Sequence, residues 1–244
     1  MEKQPDFLKE INTEIMEEMT ERGKLRNVAG LVGEIKELAA VKEICGLPFN
    51  GYLGKIETTR PSGIADEVVI AFEREIPQKS TAGAVDVLKE FAPGSRLLLT
   101  GKIQTLKDFA TGHTLVFILA DFVAASPKAV LQDEIAITGE LAFKPTHRET
   151  PRGKRISDIF VNVQKELAPG CCCIPCICWQ EQADEVASWQ QGDKVKLLAR
   201  YQSREYDKVL DEFFTDGELT DRAVERRTAY ELSVQAIERI GGKE

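Results

Sequence analysis

Histidine is nearly missing from this sequence: His113 and His147 are the only two in 244 residues. A His-rich metal site is excluded by that count, and so is catalysis by paired histidines. No glycine-rich phosphate loop and no nucleophile motif occur. Asp and Glu are abundant, but nowhere at metal-ligand spacing. An enzyme is therefore not expected, and no cofactor is implied. No apolar run approaches the length of a membrane span, and residues 1–25 are too acidic for a signal peptide. The expectation is a chain with no membrane association, in the cytoplasm by default. Positive charge is also in deficit, with 32 Lys and Arg against 40 Asp and Glu and a net charge of −8. That balance argues against broad binding of duplex nucleic acid, since phosphate contacts need clustered cations.

The cations that are present are unevenly placed. KPTHRETPRGKR at 144–155 holds Lys144, Arg148, Arg152, Lys154 and Arg155 against a single Glu149. It reads as a basic hairpin loop, either merely solvated or closing over an anionic ligand. The cysteines are uneven too, since five of six fall within CCCIPCIC at 171–178. Zinc and iron–sulfur sites take ligands from separated pairs, and no second pair exists. Neighbours in a strand alternate faces, so the five thiols cannot easily converge. Structural thiols are the expectation, with metal and redox roles as the alternatives; reduced thiols suit a cytoplasmic chain.

The most organised stretch is 171–206. An apolar run ends at Trp179, residues 183–189 have helical spacing, Gln191-Gly192-Asp193 signals a turn, and period-two alternation follows from Val195. The chain before it opens with an acidic segment. Within residues 1–24, Phe7, Leu8, Ile11, Ile15 and Met19 predict a helix, docked on its own domain or used by a partner. Residues 28–36, 49–58 and 64–73 predict strands, 83–91 a helix, and 97–105 and 115–124 strands. The same order recurs: strands at 135–143 and 156–164, then the strand–helix–strand stretch, then a strand at 227–240.

An internal repeat is visible in these segments. PGSRLLLTGKIQT at 93–105 parallels QGDKVKLLARYQS at 191–203, an offset of 98. IADEVVIAFER at 64–74 parallels CCCIPCICWQE at 171–181, an offset of 107. A short helix between the third and fourth strands marks the five-stranded OB barrel. The predicted fold is mainly β, two tandem five-stranded OB-fold barrels with a short N-terminal helix. The domains are 1–24 (acidic helix), 25–126 (first OB domain) and 133–241 (second), with a linker punctuated by Ser126-Pro127.

The run CICWQEQADEVASW, with QGDKV and ARYQSREY after it, resembles the core of bacterial single-stranded DNA-binding proteins. RTAYELSV at 227–234 resembles that family's last strand. The resemblance implies binding of single-stranded DNA without sequence preference, protecting or organising it in replication, recombination or repair. It implies stacking of bases on Trp179 and Tyr206, at positions where the family carries aromatics; a third such position is here Cys173. It implies four OB domains per functional unit, hence a homodimer, and replication or repair proteins as partners. The family's acidic C-terminal tip is not seen, which implies a specialised version or another recruitment route.

Binding a single strand needs a cationic groove and flat side chains on which bases stack. Trp179 ends the third strand of the second repeat, and Phe72 is its counterpart in the first. Phe143 ends a strand beside the basic loop. Arg200, Arg204 and Lys208 alternate on the face that carries Tyr206. Arg148, Arg152, Lys154 and Arg155 would close over the strand. Core packing is the competing role for each aromatic, and Trp189, on the plug helix, is assigned to the core. Phe213 and Phe214 lie in an insertion at 210–222, to bind a partner or pack under the loop. The other functional reading is an OB-fold assembly module, like a primosome accessory factor, with weak or RNA binding.

Overall fold

The computed structural model describes residues 27–60, 62–77, 84–86, 92–125, 133–150, 152–215 and 218–241. The helix expected within residues 1–24 and the linker at 126–132 lie outside them.

The first half runs β1 (Asn27–Ile44), β2 (Leu47–Thr59), β3 (Ala65–Glu73), β4 (Glu75–Pro77), β5 (Ala84–Asp86), β6 (Arg96–Lys107) and β7 (Thr114–Ala125). β1 and β2 are joined at Cys45-Gly46, both at positive φ, as a two-residue hairpin turn of the primed type requires. The helix expected at 83–91 is corrected in part. Ala84–Asp86 is a strand paired with Glu75–Pro77, Ile76 lying opposite Val85. Branching at Cβ favours the extended backbone at both positions. The other residues of that stretch lie outside the described ones.

The second half runs β8 (Asp133–Leu141), β9 (Thr146–Glu149), β10 (Arg155–Gln164), β11 (Cys171–Trp179), α1 (Glu181–Val186), β12 (Lys194–Thr215) and β13 (Glu218–Gly241). β8 pairs with β10, β10 with β11, β11 in parallel with β13, β13 with β12, and β12 with β8. These pairings close a five-stranded barrel. α1 buries Ala183 and Val186 at its end, and Trp189 behind it is in the core. The basic loop is itself ordered, since β9 pairs with Arg155–Asp158.

The first half follows the same pairing order, β1 to β2, β3, β7, β6 and back to β1, again with one parallel contact, β3 to β7. Local devices recur with it. A Cβ on Gly33 would stand 2.7 Å from the Glu57 carbonyl, and one on Gly139 2.5 Å from that of Asn162. Each first strand therefore crosses its second strand too closely for any other residue. The β6–β7 ladder slips between Thr100 and Gly101, and the β12–β13 ladder slips at the matching place, between Leu198 and Ala199.

The halves are fused along β1, which pairs with β8 from Asn27↔Ile137 to Leu31↔Asp133. One core cluster runs through both, from Leu31, Ile70 and Phe72 to Ile137, Cys176 and Tyr201. The buried Tyr201 hydroxyl donates to the Val116 carbonyl across the junction at 2.7 Å. Beyond the barrel, β12 and β13 continue as a two-stranded ribbon as far as Thr215↔Glu218. None of the described helices is long and apolar enough to cross a membrane.

Candidate nucleic-acid interface

β11 shows how period-two alternation divides its residues. Cys172, Ile174, Cys176 and Cys178 are buried, while Cys171, Cys173 and Trp179 are at least partly exposed. Burial raises the Cys178 thiol to about 12, far from the thiolate range that nucleophiles and metal ligands use. All six cysteines are free thiols.

Trp179 faces a cleft of about 520 Å³ lined by Arg60, Ile64, Lys154, Trp179, Arg200, Gln202, Ser203, Arg204 and Ser233. The indole is fixed at its polar edge, where Nε1 donates to Ser233 Oγ at 3.2 Å. Lys154, from the β9–β10 hairpin, stands 6.0 Å from the ring centroid. Ser233 comes from β13, beside Ile177 in the parallel register. Arg200 reaches the same serine at 3.5 Å and Gln202 Oε1 at 3.2 Å. Further along β12, Arg204 stacks 5.6 Å from the Tyr206 ring, and Tyr206 is 37 % exposed. β12 thus presents Arg200, Arg204 and Tyr206 on one outward face, as alternation requires.

The rim opposite comes from the first half. Arg60, in the β2–β3 turn, clasps Asp66, its Nη2 donating to Oδ1 at 2.6 Å. Asp66 is 1 % exposed and also accepts the Ser203 amide at 2.9 Å. Arg200 Nη1 lies 3.6 Å from Asp66 Oδ2; it is buried and makes no hydrogen bond among the described residues. Below them Asp133 accepts the Tyr201 amide at 2.9 Å. Desolvation pushes the Asp133 carboxyl up to about 7, and Asp66 adds to the rise. Two guanidiniums over two carboxylates thus form the base of the cleft, at the junction of the halves.

The expected site residues separate on this geometry. Trp179, Arg200, Arg204 and Lys154 line the cleft, and Tyr206 continues from it along β12. Arg148 is on the neighbouring hairpin but is committed to Asp158, at 2.7 and 3.2 Å. Arg155 is paired with Asp184 of α1 at 3.0 Å. Arg152 is exposed at the hairpin turn. Phe143 is 57 % exposed, packed edge-on against Phe160. The side chains of Phe213 and Phe214 lie outside the described residues.

Phe72 is corrected: it is fully buried and offers no face to a ligand. The parallel registers explain the difference. Ile70 opposes Ile118 in one half and Cys176 opposes Leu232 in the other, so the matching offset is 106 residues. An offset of 107 is one residue out, and one residue turns every side chain to the other face. The position that matches Trp179 is Glu73. Arg60, Ile64 and Ser233 are not anticipated by the sequence, because no local pattern ties them to Trp179. Phe160 is also missed there; the available signal is a phenylalanine at a solvent-facing position between Asp158 and Asn162.

The outer sheet face of the first half is closed to ligands. Val69, Ala71 and Phe117 on β3 and β7 are buried against Ile44 and Phe49, with Leu47, Leu167 and Tyr230 packed around them. The β1–β2 hairpin tip thereby covers the surface that in the second half carries Trp179.

No protein-family model matches the chain, and no curated protein matches its sequence. Solved structures do match. The wild-type single-stranded DNA binding protein from Thermus aquaticus aligns with a TM-score of 0.60 at 13 % identity, over 91 % of this chain and 96 % of that one. A deletion mutant of the same protein aligns with a TM-score of 0.59 at 16 % identity, over 91 % and 97 %. The likeness is one of fold, and it extends over nearly the whole of both chains.

Proposed function

We propose that this protein binds single-stranded DNA without sequence preference, in the cleft of its second half, and does no chemistry on it. The observation that carries the reading is the Trp179 indole held on the outer barrel face, with Lys154, Arg200, Arg204 and Arg60 around it. A fixed aromatic face stacks on any base, and surrounding cations take the phosphates. The shared fold with a protein named for single-stranded DNA binding supports it. We read residues 25–126 and 133–241 as two tandem OB domains, the second being the reader and the first its scaffold. The recurring pairing order and the filled outer face of the first half support that division. Two such domains per chain lead us to a homodimer, located in the cytoplasm, that protects or organises DNA in replication, recombination or repair alongside proteins of those processes.

The test is a fluorescence titration with dT oligomers at several salt concentrations. Trp179 is the accessible indole, Trp189 being buried, so quenching by dT reports on the cleft. Arg152→Ala combined with Lys154→Ala flattens the salt slope by about 0.7 for each phosphate that is no longer neutralised. A parent protein that is not quenched at low salt would refute the reading and leave the barrel as an assembly module. Light scattering that shows a monomer throughout the micromolar range would refute the dimer.

A further inference from the structure

Phe160 and Phe143 form an aromatic pair on the outside of the barrel that no part of the core requires. Their ring centroids are 5.8 Å apart at 80°, and the rings are 38 % and 57 % exposed. β10 places Phe160 outward by alternation, since its neighbours Ile159 and Val161 are buried. Two large aromatics in contact on a solvated face leave apolar surface in water that polar residues would not.

The pair's position suggests a use. Phe160 lies opposite Pro175 of β11, and Trp179 lies opposite Ile156, four residues along the same strand. Pro175 and Trp179 are an even number of residues apart, so Phe160 and Trp179 face outward together. At ~3.3 Å per residue they are about 13 Å apart along the sheet. Between them, Arg148 is held on Asp158, a cation fixed on the surface that joins the two aromatic sites. The Trp179 cleft opens at one end of this strip and the Phe143–Phe160 pair stands at the other.

We infer that the Phe143–Phe160 pair is a second base-stacking platform for the same nucleic-acid strand, with Arg148 meeting the phosphate between it and Trp179. This rests on the proposed single-strand binding and adds the path of the strand beyond the cleft. An edge-to-face pair is suited to the role because Phe143 holds the Phe160 ring in place and leaves one face free. Single-strand binding tolerates any base at such a platform, since every base has a π-face.

The experiment uses the full chain with dT oligomers of increasing length. Phe160→Ala weakens binding of long dT by about 5- to 150-fold, the range expected for one stacked base, and leaves the shortest oligomers that quench Trp179 unaffected. Its thermal unfolding matches the parent, because the ring is exposed. Phe160→Trp restores the affinity and adds a second indole that long dT quenches and short dT does not. If the parent binds dT but Phe160→Ala binds every length equally well, or the added indole is never quenched, the platform is refuted while the cleft stands. If light scattering shows a dimeric parent and a monomeric Phe160→Ala, the pair is a subunit contact and the inference also falls. A parent that fails to bind dT removes both the inference and the function beneath it.

Discussion

Tyr206 and Asp133 show how differently two residues near one cleft behave. Tyr206 lies beside Arg204 on an exposed strand face, and nothing in the core depends on it. Tyr206→Ala is expected to weaken dT binding by about 1–3 kcal/mol without changing the salt slope, because stacking releases no counterions. Equal titration curves for variant and parent would place Tyr206 outside the interface. Asp133 is a question of stability. Its carboxyl is raised to about 7 in the folded protein by desolvation, against about 3.9 in an unfolded chain. Between those values the native state holds the extra proton, so this group's contribution is greatest below about pH 4 and is lost as pH rises through 7. Asp133→Asn, whose side-chain oxygen can still accept the Tyr201 amide, removes that dependence. In urea unfolding, its stability relative to the parent rises between pH 4 and 8. A difference that stays constant with pH would show that Asp133 does not titrate there.

Individual elements depend on a few positions where the backbone passes close to itself. β8 crosses β10 at Gly139, where an added Cβ would stand 2.5 Å from both the Asn162 carbonyl and Val161 Cγ1. Neither is the loose end of a flexible chain. Gly139→Ala should therefore cost about 1–3 kcal/mol, in the range of core overpacking, and thermal denaturation would show the loss as a lower Tm. The part of the ribbon beyond the barrel should be far more tolerant. Two strands without a third, or without a packed face, add little stability of their own. Replacing residues 209–224 by Asn-Gly, the dipeptide that favours a tight hairpin turn, is expected to leave the Tm nearly unchanged. A large fall in Tm would mean that the ribbon is packed on the body.

At the scale of the whole molecule the two halves are joined by more than a linker. They share the β1–β8 ladder, the Tyr201 hydroxyl bond, and a bond of 2.6 Å from the Tyr230 hydroxyl to Glu67. Gln104 of the first half accepts the Glu166 amide at 2.9 Å. A domain boundary with so many bonds across it and a continuous core should not melt separately. Calorimetry is expected to show one transition, and two resolved transitions would refute a single cooperative unit. Tyr201→Phe leaves the Val116 carbonyl without this buried donor and should cost about 1–3 kcal/mol, lowering the whole transition rather than splitting it.

Much of this could be read from the chain itself. Alternation in Cys171–Trp179 and from Val195 onward, the Gln191-Gly192-Asp193 turn, and the offset of 98 between the fourth strands are local signals that depend on near neighbours. Strand order in the second half followed from them, as did the burial of Trp189 and the candidacy of Trp179, Arg200 and Arg204. Tertiary structure alone decided the rest. It put Phe72 inside, because faces depend on register and a one-residue error cannot be seen in weakly similar strands. It covered the first half's outer face with the β1–β2 hairpin tip, and it brought Arg60, Ile64 and Ser233 to Trp179 from distant parts of the chain. Contacts of that kind have no period along the sequence; they arise only when β1 and β8 pair and the two halves close on one core.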